Sequence, residues 1–256
     1  VLANLNLYNK NDNIINNAGI LLFGKKPQDF CPQASITFSI FNSEEVSSEP
    51  FIRQQVMGSI FSLIENSINL IKQHAPPVSR IEGLKRIDVY PYPYEVLREV
   101  IINAIVHRDY FISSEITIRL FKNRIEISNP GEVPHGIDFE KLIAGENNLS
   151  VRRNPIIADV LDFAGYMDQS GYGFIKILTA FQSQGFPKPE FPKIQGSFKA
   201  IIYAGNTVSG VSKTKELDYP KGVVIILKRI IDSGTKGVSN QELVKESGYT
   251  TVYVSN

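Results

Sequence analysis

The hydrophobic pattern changes period several times along the chain, and each change marks an element. Residues 18–23 (AGILLF) are a short apolar run stopped by Gly24, and residues 34–41 (ASITFSIF) alternate apolar with polar positions, so both are read as strands. From Phe51 to His74 the period lengthens. Ile52, Val56, Ile60, Leu63, Ile64, Ile68 and Ile71 recur every three or four residues until Pro76-Pro77 ends the run, which predicts a helix. Tyr90-Pro-Tyr-Pro leads into a second helix over residues 94–108, and residues 115–121 (EITIRLF) and 124–128 (RIEIS) alternate on either side of Lys122-Asn123 as a hairpin does. Asn154 followed by Pro155 is a cap and a first-turn proline, predicting a helix over residues 155–164 that Gly165 closes. A further helix over 173–184 stops at Gly185, and residues 197–204 (SFKAIIYA) return as a strand.

These elements predict an α/β chain in successive parts: a small α/β unit over residues 1–85 and a larger one over 86–204. In the larger unit the helices at 94–108, 155–164 and 173–184 cover one face of a mixed sheet formed by 115–121, 124–128 and 197–204. Residues 205–219 are polar and aperiodic, as a linker is. Residues 220–256 then read as an apolar helix (223–231), a Gly-containing break and a second helix opened by the capping box Ser239-Asn-Gln-Glu242. The start of a third helix follows Gly248. This is the beginning of a winged helix-turn-helix, in which Thr250, Thr251 and Tyr253 would face the DNA major groove; a protein-interaction winged helix fits the same pattern.

Composition narrows the setting. Twenty-seven Lys and Arg balance 26 Asp and Glu, so no global charge draws the chain to nucleic acid, and any such contact must come from a local patch. The single cysteine, Cys31, cannot form a disulfide within the chain, and three histidines with one cysteine provide no zinc-ligand spacing, a pattern that fits the reducing cytoplasm. No apolar stretch has the length of a membrane span and no secretory leader is evident. The chain starts without Met and stops inside a helical pattern, as a piece of a longer protein would.

Candidate chemistry begins on the helix at 94–108. Glu99, Asn103 and His107 are four residues apart, so they form one polar stripe on a helix that is otherwise largely apolar. Such a stripe lies in a pocket or in a structural hydrogen-bond network. Ser170-Gly-Tyr-Gly173 opens a helix where glycines allow backbone amides to approach an anion, although the same sequence serves as a tight turn. Between the two, Ile127-Ser-Asn-Pro-Gly131 ends a strand with a loop that would bring backbone close to a ligand.

Taken in order, Glu99-x-x-x-Asn103, the loop Asn129 to Gly131, and Gly171-x-Gly173 resemble the three nucleotide-binding boxes of the GHKL ATPases (gyrase, Hsp90 and histidine kinases), whose fold is the Bergerat α/β sandwich. More closely, LREVIINAIVHRDY, RIEISNPGEVP, RRNPIIADVL and QSGYG resemble the ATP-binding module of RecG-related, Schlafen/Alba-type transcriptional regulators, in which an Alba-like nucleic-acid-binding domain lies N-terminal to this region. The resemblance implies ATP with Mg²⁺ as cofactors, Glu99 as general base and Asn103 as the Mg²⁺ ligand. It places His107 near phosphate, Asn129 and Gly131 near the base, and Gly171 and Gly173 against the phosphates, with Arg152 and Arg153 in the lid to neutralise charge. GHKL proteins carry an Asp where this chain has Ser128-Asn129, and there is no Walker A motif. The expectation is a nucleotide-responsive regulator with weak ATP binding and slow or absent hydrolysis, contacting DNA through flanking modules and with a homodimer as a candidate assembly. An ATP-driven nucleic-acid remodelling enzyme and a degenerate fold kept as a dimerisation scaffold are the alternatives.

Overall fold

Apolar residues at every second position create the central layer of the protein. In a computed structural model, which describes residues 5–9, 11–45, 49–82, 85–134, 136–144, 151–167 and 173–205, six strands form one mixed sheet. They are β3 (Ile36–Ile40), β4 (Ile52–Val56), β7 (Ile116–Leu120), β8 (Arg124–Pro130), β9 (Lys193–Ile194) and β10 (Ser197–Tyr203), in the spatial order β4-β3-β7-β8-β10-β9. Only β3 and β7 run parallel; the other neighbours are antiparallel. Register stacks the apolar positions in rows: Ile36 beside Ile116, Phe38 beside Ile118, Ile40 beside Leu120, then Ile127 beside Ala200 and Ile125 beside Ile202. All ten are buried.

Helices cover that apolar face. α2 (Ile60–His74) packs on β3 and β4 with Ile60, Leu63, Ile64, Ile68 and Ile71 buried, and α3 (Tyr94–His107) packs on β8 and against α2. Each large aliphatic side chain so buried contributes about 1.5–3 kcal/mol. α5 (Pro155–Phe163) and α6 (Gly173–Ser183) also pack on α3, while α4 (Phe139–Ala144) buries none of its residues. Two small antiparallel ribbons complete the described part: β1 (Tyr8–Asn9) with β2 (Ile14–Ile15), and β5 (Val78–Glu82) with β6 (Lys85–Val89). Among the described residues no helix is long and apolar enough to cross a membrane, and no cluster of His, Cys, Asp and Glu could hold a metal ion.

Three local expectations are corrected. The run AGILLF is not a strand but the body of α1 (Asn17–Phe23): the Asn16 side chain accepts from Gly19 N at 2.9 Å, and Gly24 N closes the helix onto Ile20 O at 2.8 Å. A short apolar run satisfies either period, and here the cap decides. The helix read from Phe51 to His74 is two elements, strand β4 and then α2, separated at Gly58, whose φ of +118° breaks the chain direction before Ser59 caps α2. Asn154 precedes α5 as expected, but its side chain makes no cap bond and is used elsewhere.

Strands from both sides of residue 85 enter the same sheet, β3 pairing in parallel with β7 across the intervening α2 and α3. The chain divides into two units, Val1–Gly210 and Val211–Asn256. The helix-turn-helix expected at 220–256, with Thr250, Thr251 and Tyr253, lies outside the described residues, as does the linker beyond Gly205.

Candidate functional site

α3 is buried on most of its circumference: Val96, Leu97, Val100, Ile101, Ile102, Ala104, Ile105 and Val106 are all in the core. Glu99, Asn103 and His107 form a half-buried line between these positions. The His107 imidazole is held below its ordinary pKa, first by burial and then by the Arg153 cation, so it is neutral at pH 7 and can both donate and accept a hydrogen bond.

The chain leaving α3 is fixed by a buried arginine. Arg108, 1 % exposed, has no carboxylate within hydrogen-bond reach among the described residues and donates to backbone carbonyls. Nη1 bonds Asp109 O at 2.9 Å, and Nη2 reaches Gln33 O at 3.0 Å, Ile112 O at 3.2 Å and Ser114 O. The guanidinium also lies over the Tyr110 ring, 4.8 Å from its centroid. A charge this deep is tolerable only with such a set of acceptors, and the set ties three turns of chain into one geometry. Asn154 works from the other side, its Nδ2 donating to Val106 O and Arg108 O, both at 2.8 Å. It thus satisfies carbonyls at the open end of α3 rather than amides at the start of α5.

This geometry delivers Asp109 to the end of β8, where its amide bonds Pro130 O at 2.9 Å. An open cavity of about 420 Å³ lies there, walled by Asp109, Gly131, Glu132, Pro134, Arg153 and Gly196 among others. Arg153 crosses it: Nη2 donates to Glu132 O at 2.9 Å, and Nη1 stands 3.5 Å from Asp109 Oδ2 with no hydrogen bond of its own. Gly131 has φ +109°, and a Cβ there would come within 1.9 Å of Arg153 Nη1, so glycine serves both the backbone and the guanidinium lying on it. Gly196 completes the rim, accepting from Gly131 N at 3.0 Å and donating to Glu132 Oε1 at 2.7 Å.

Two residues before Gly131, Asn129 is 3 % exposed and its Oδ1 has no hydrogen-bond partner. Strand alternation sets it on the same face as Ile125 and Ile127, the face covered by α3. Phe198 is its cross-strand neighbour, with Phe191 5.8 Å and Phe139 6.3 Å away, ring to ring.

The structure therefore brings Gly131 and Arg153 together and sets His107 in the field of Arg153, with Glu99 and Asn103 on the stripe that His107 ends. Arg152 turns away to an ion pair with Asp159 of α5 at 2.9 Å. Gly173 is the first residue of α6, and Gly171 lies outside the described residues. The sequence reading assigned no role to Arg108, Asp109, Glu132 or Gly196. Arg108 and Asp109 directly follow the stripe, and an Arg-Asp pair just past a helix end was the available signal; Glu132 and Gly196 act through backbone neighbours that no local pattern discloses.

Comparison with known proteins agrees with this layout in part. Residues 113–202 match the family described as "Putative ATP-dependent DNA helicase recG C-terminal". That segment runs from β7 to β10 and includes Asn129, Gly131, Arg153 and Gly173, but begins after the stripe on α3. No curated protein matches the chain. Over its whole length the chain is similar to the crystal structure of the DIP2311 protein from Corynebacterium diphtheriae, with a TM-score of 0.68 and 19% identity, and it spans 51% of that protein's length. The likeness is one of fold: a mixed α/β layer whose 113–202 segment is similar to the RecG C-terminal family.

Proposed function

We propose that the chain is a nucleotide-responsive module that binds a purine nucleotide, ATP in the first instance, between the polar stripe of α3 and the exit of β8. The observation that carries this reading is Asn129. A buried amide oxygen without a partner forfeits about 1–3 kcal/mol of hydration, and a fold keeps such a group where a ligand returns the bond. A purine amino group is a donor of the right kind, and an apolar wall containing Phe198 suits the flat base. The glycine-lined cavity beside it, with Arg153 across it, suits an anionic tail.

In this reading Asn129 accepts from the base and Arg153 neutralises phosphate charge. Asn103 offers the hard amide oxygen that Mg²⁺ prefers, the cation supplying charge compensation at the phosphates when bound. Glu99 is the carboxylate able to take a proton from an attacking water, and neutral His107 can hydrogen-bond a phosphate oxygen. An amide in place of a carboxylate at residue 129 removes a charge-assisted bond, so binding is weak and turnover slow or absent. Nucleotide state would then be passed to DNA-contacting modules on either side, the winged helix at 220–256 being one of them.

Calorimetric titration with ATP, with and without Mg²⁺, beside a steady-state ATPase assay, tests the proposal. Weak binding is expected, retained in Glu99→Ala and stripped of its Mg²⁺-dependent part in Asn103→Ala. Brisk hydrolysis abolished by Glu99→Ala would make the protein an ATP-driven enzyme instead, and absence of any nucleotide binding would overturn the reading.

A further inference from the structure

The ribbon of β5 and β6 has exposed residues on both faces, with Val89 half-buried at its base. Val78 is 51% and Ile81 79% exposed, and Ser79, Lys85, Arg86 and Asp88 are exposed as well. Its polar contacts are internal: Ser79 Oγ donates to Asp88 Oδ1 at 2.6 Å, and Arg86 donates to Ser79 Oγ from Nε at 3.0 Å and Nη2 at 2.7 Å. The two strands make a sheet of their own, so among the described residues each has a free edge. A ribbon of two strands is marginal in water on its own, and a free edge is a template for another strand.

We propose that the β6 edge pairs antiparallel with β6 of a second copy of this chain, about a two-fold axis through residue 87, to give a four-stranded sheet. A symmetric antiparallel pair must have its axis at a residue of one hydrogen-bonding parity or the other, so few registers exist. With the axis at 87, Arg86 of each copy stands opposite Asp88 of the other, giving two opposite-charge cross-strand pairs. Moving the axis to 86 or to 88 sets like charges opposite each other. Arg86 Nε and Asp88 Oδ1 lie 3.6 Å apart within β6, on side chains 76% and 49% exposed, so each can exchange this exposed intrachain pair for one across the axis. Val78 and Ile81, otherwise in water, lie in the sheet that pairing extends.

Sedimentation equilibrium of the full chain, with folding checked by circular dichroism, tests this. The wild type is expected to dimerise, more weakly at high salt. R86D sets two carboxylates opposite each other and D88R two cations, so each alone should self-associate about ten-fold or more weakly. An equimolar mixture of R86D and D88R should recover dimers as heterodimers, because every cross-strand pair is again of opposite charge. A wild type that stays monomeric, a dimer indifferent to both substitutions, or a mixture that fails to recover would overturn the proposal. So would a monomer whose binding to a DNA oligonucleotide is lost in R86D, which would assign the ribbon to nucleic acid.

Discussion

Glu126 and Asn129 are three residues apart on the same strand, both buried, and they meet opposite fates. Glu126, on the face away from α3, is 4 % exposed and lies between Arg124 Nε at 2.8 Å and Lys199 Nζ at 2.7 Å. Asn129, on the helix-covered face, is 3 % exposed and its oxygen meets no donor. Both side chains left water; Glu126 is repaid by two cations, its Oε2 through the close ion pair with Lys199 rather than an aligned hydrogen bond, whereas the Asn129 oxygen has neither. The pair separates two uses of buried polarity, one that joins β8 to β10 and one that leaves a bond open two residues before the cavity wall at Gly131.

The sharpest way to break this comparison is to remove the satisfied member. Glu126→Ala would leave the partly buried Arg124 and Lys199, 15% and 17% exposed, facing each other without their carboxylate, and a cost of about 3 kcal/mol is expected in denaturant unfolding. Burial pushes the Glu126 pKa up, but Lys199 and Arg124 outweigh it and the carboxyl stays below its ordinary value. Its stabilisation is therefore present above the ordinary 4.5 and is lost as the pH falls through the lower, folded value. Wild type should lose stability in that acid window and the variant should lose less; parallel pH profiles would show that the network is not structural.

Gly131→Ala should come next, at about 1–3 kcal/mol, because a side chain at φ +109° is strained. The added carbon also displaces the Arg153 guanidinium. Moving that cation relieves one of the two causes that depress His107, so the imidazole should titrate at higher pH in the variant, as NMR would record. An unchanged His107 titration would show that Arg153 does not need the space above Gly131.

Much of this was legible in the sequence. The helix spanning Tyr94–His107 and its stripe follow from a four-residue period, and β7 and β8 from alternation about Lys122-Asn123. α1 was not legible, because six apolar residues satisfy both periods and only the Asn16 cap decides between them. β4 was hidden because Ile52 and Val56 also stand four apart, so a strand was absorbed into the period of α2. The site was legible in its stripe and its glycines but not in its joints. Arg108 and Asn154 act on backbone carbonyls 46 to 75 residues away, and such partners leave no mark on local spacing.

The smallest expected change in stability belongs to the residue of greatest functional weight. Asn129→Leu keeps the branched outline at a somewhat larger volume and removes an amide oxygen that nothing satisfies, so unfolding should change little. Calorimetric titration of ATP into the wild type and this variant, with their unfolding curves alongside, tests the central claim most directly. The account predicts measurable binding to the wild type and none to a variant of similar stability. Equal ATP binding by both proteins, or a variant crippled in folding, would show that Asn129 serves the core and not a ligand.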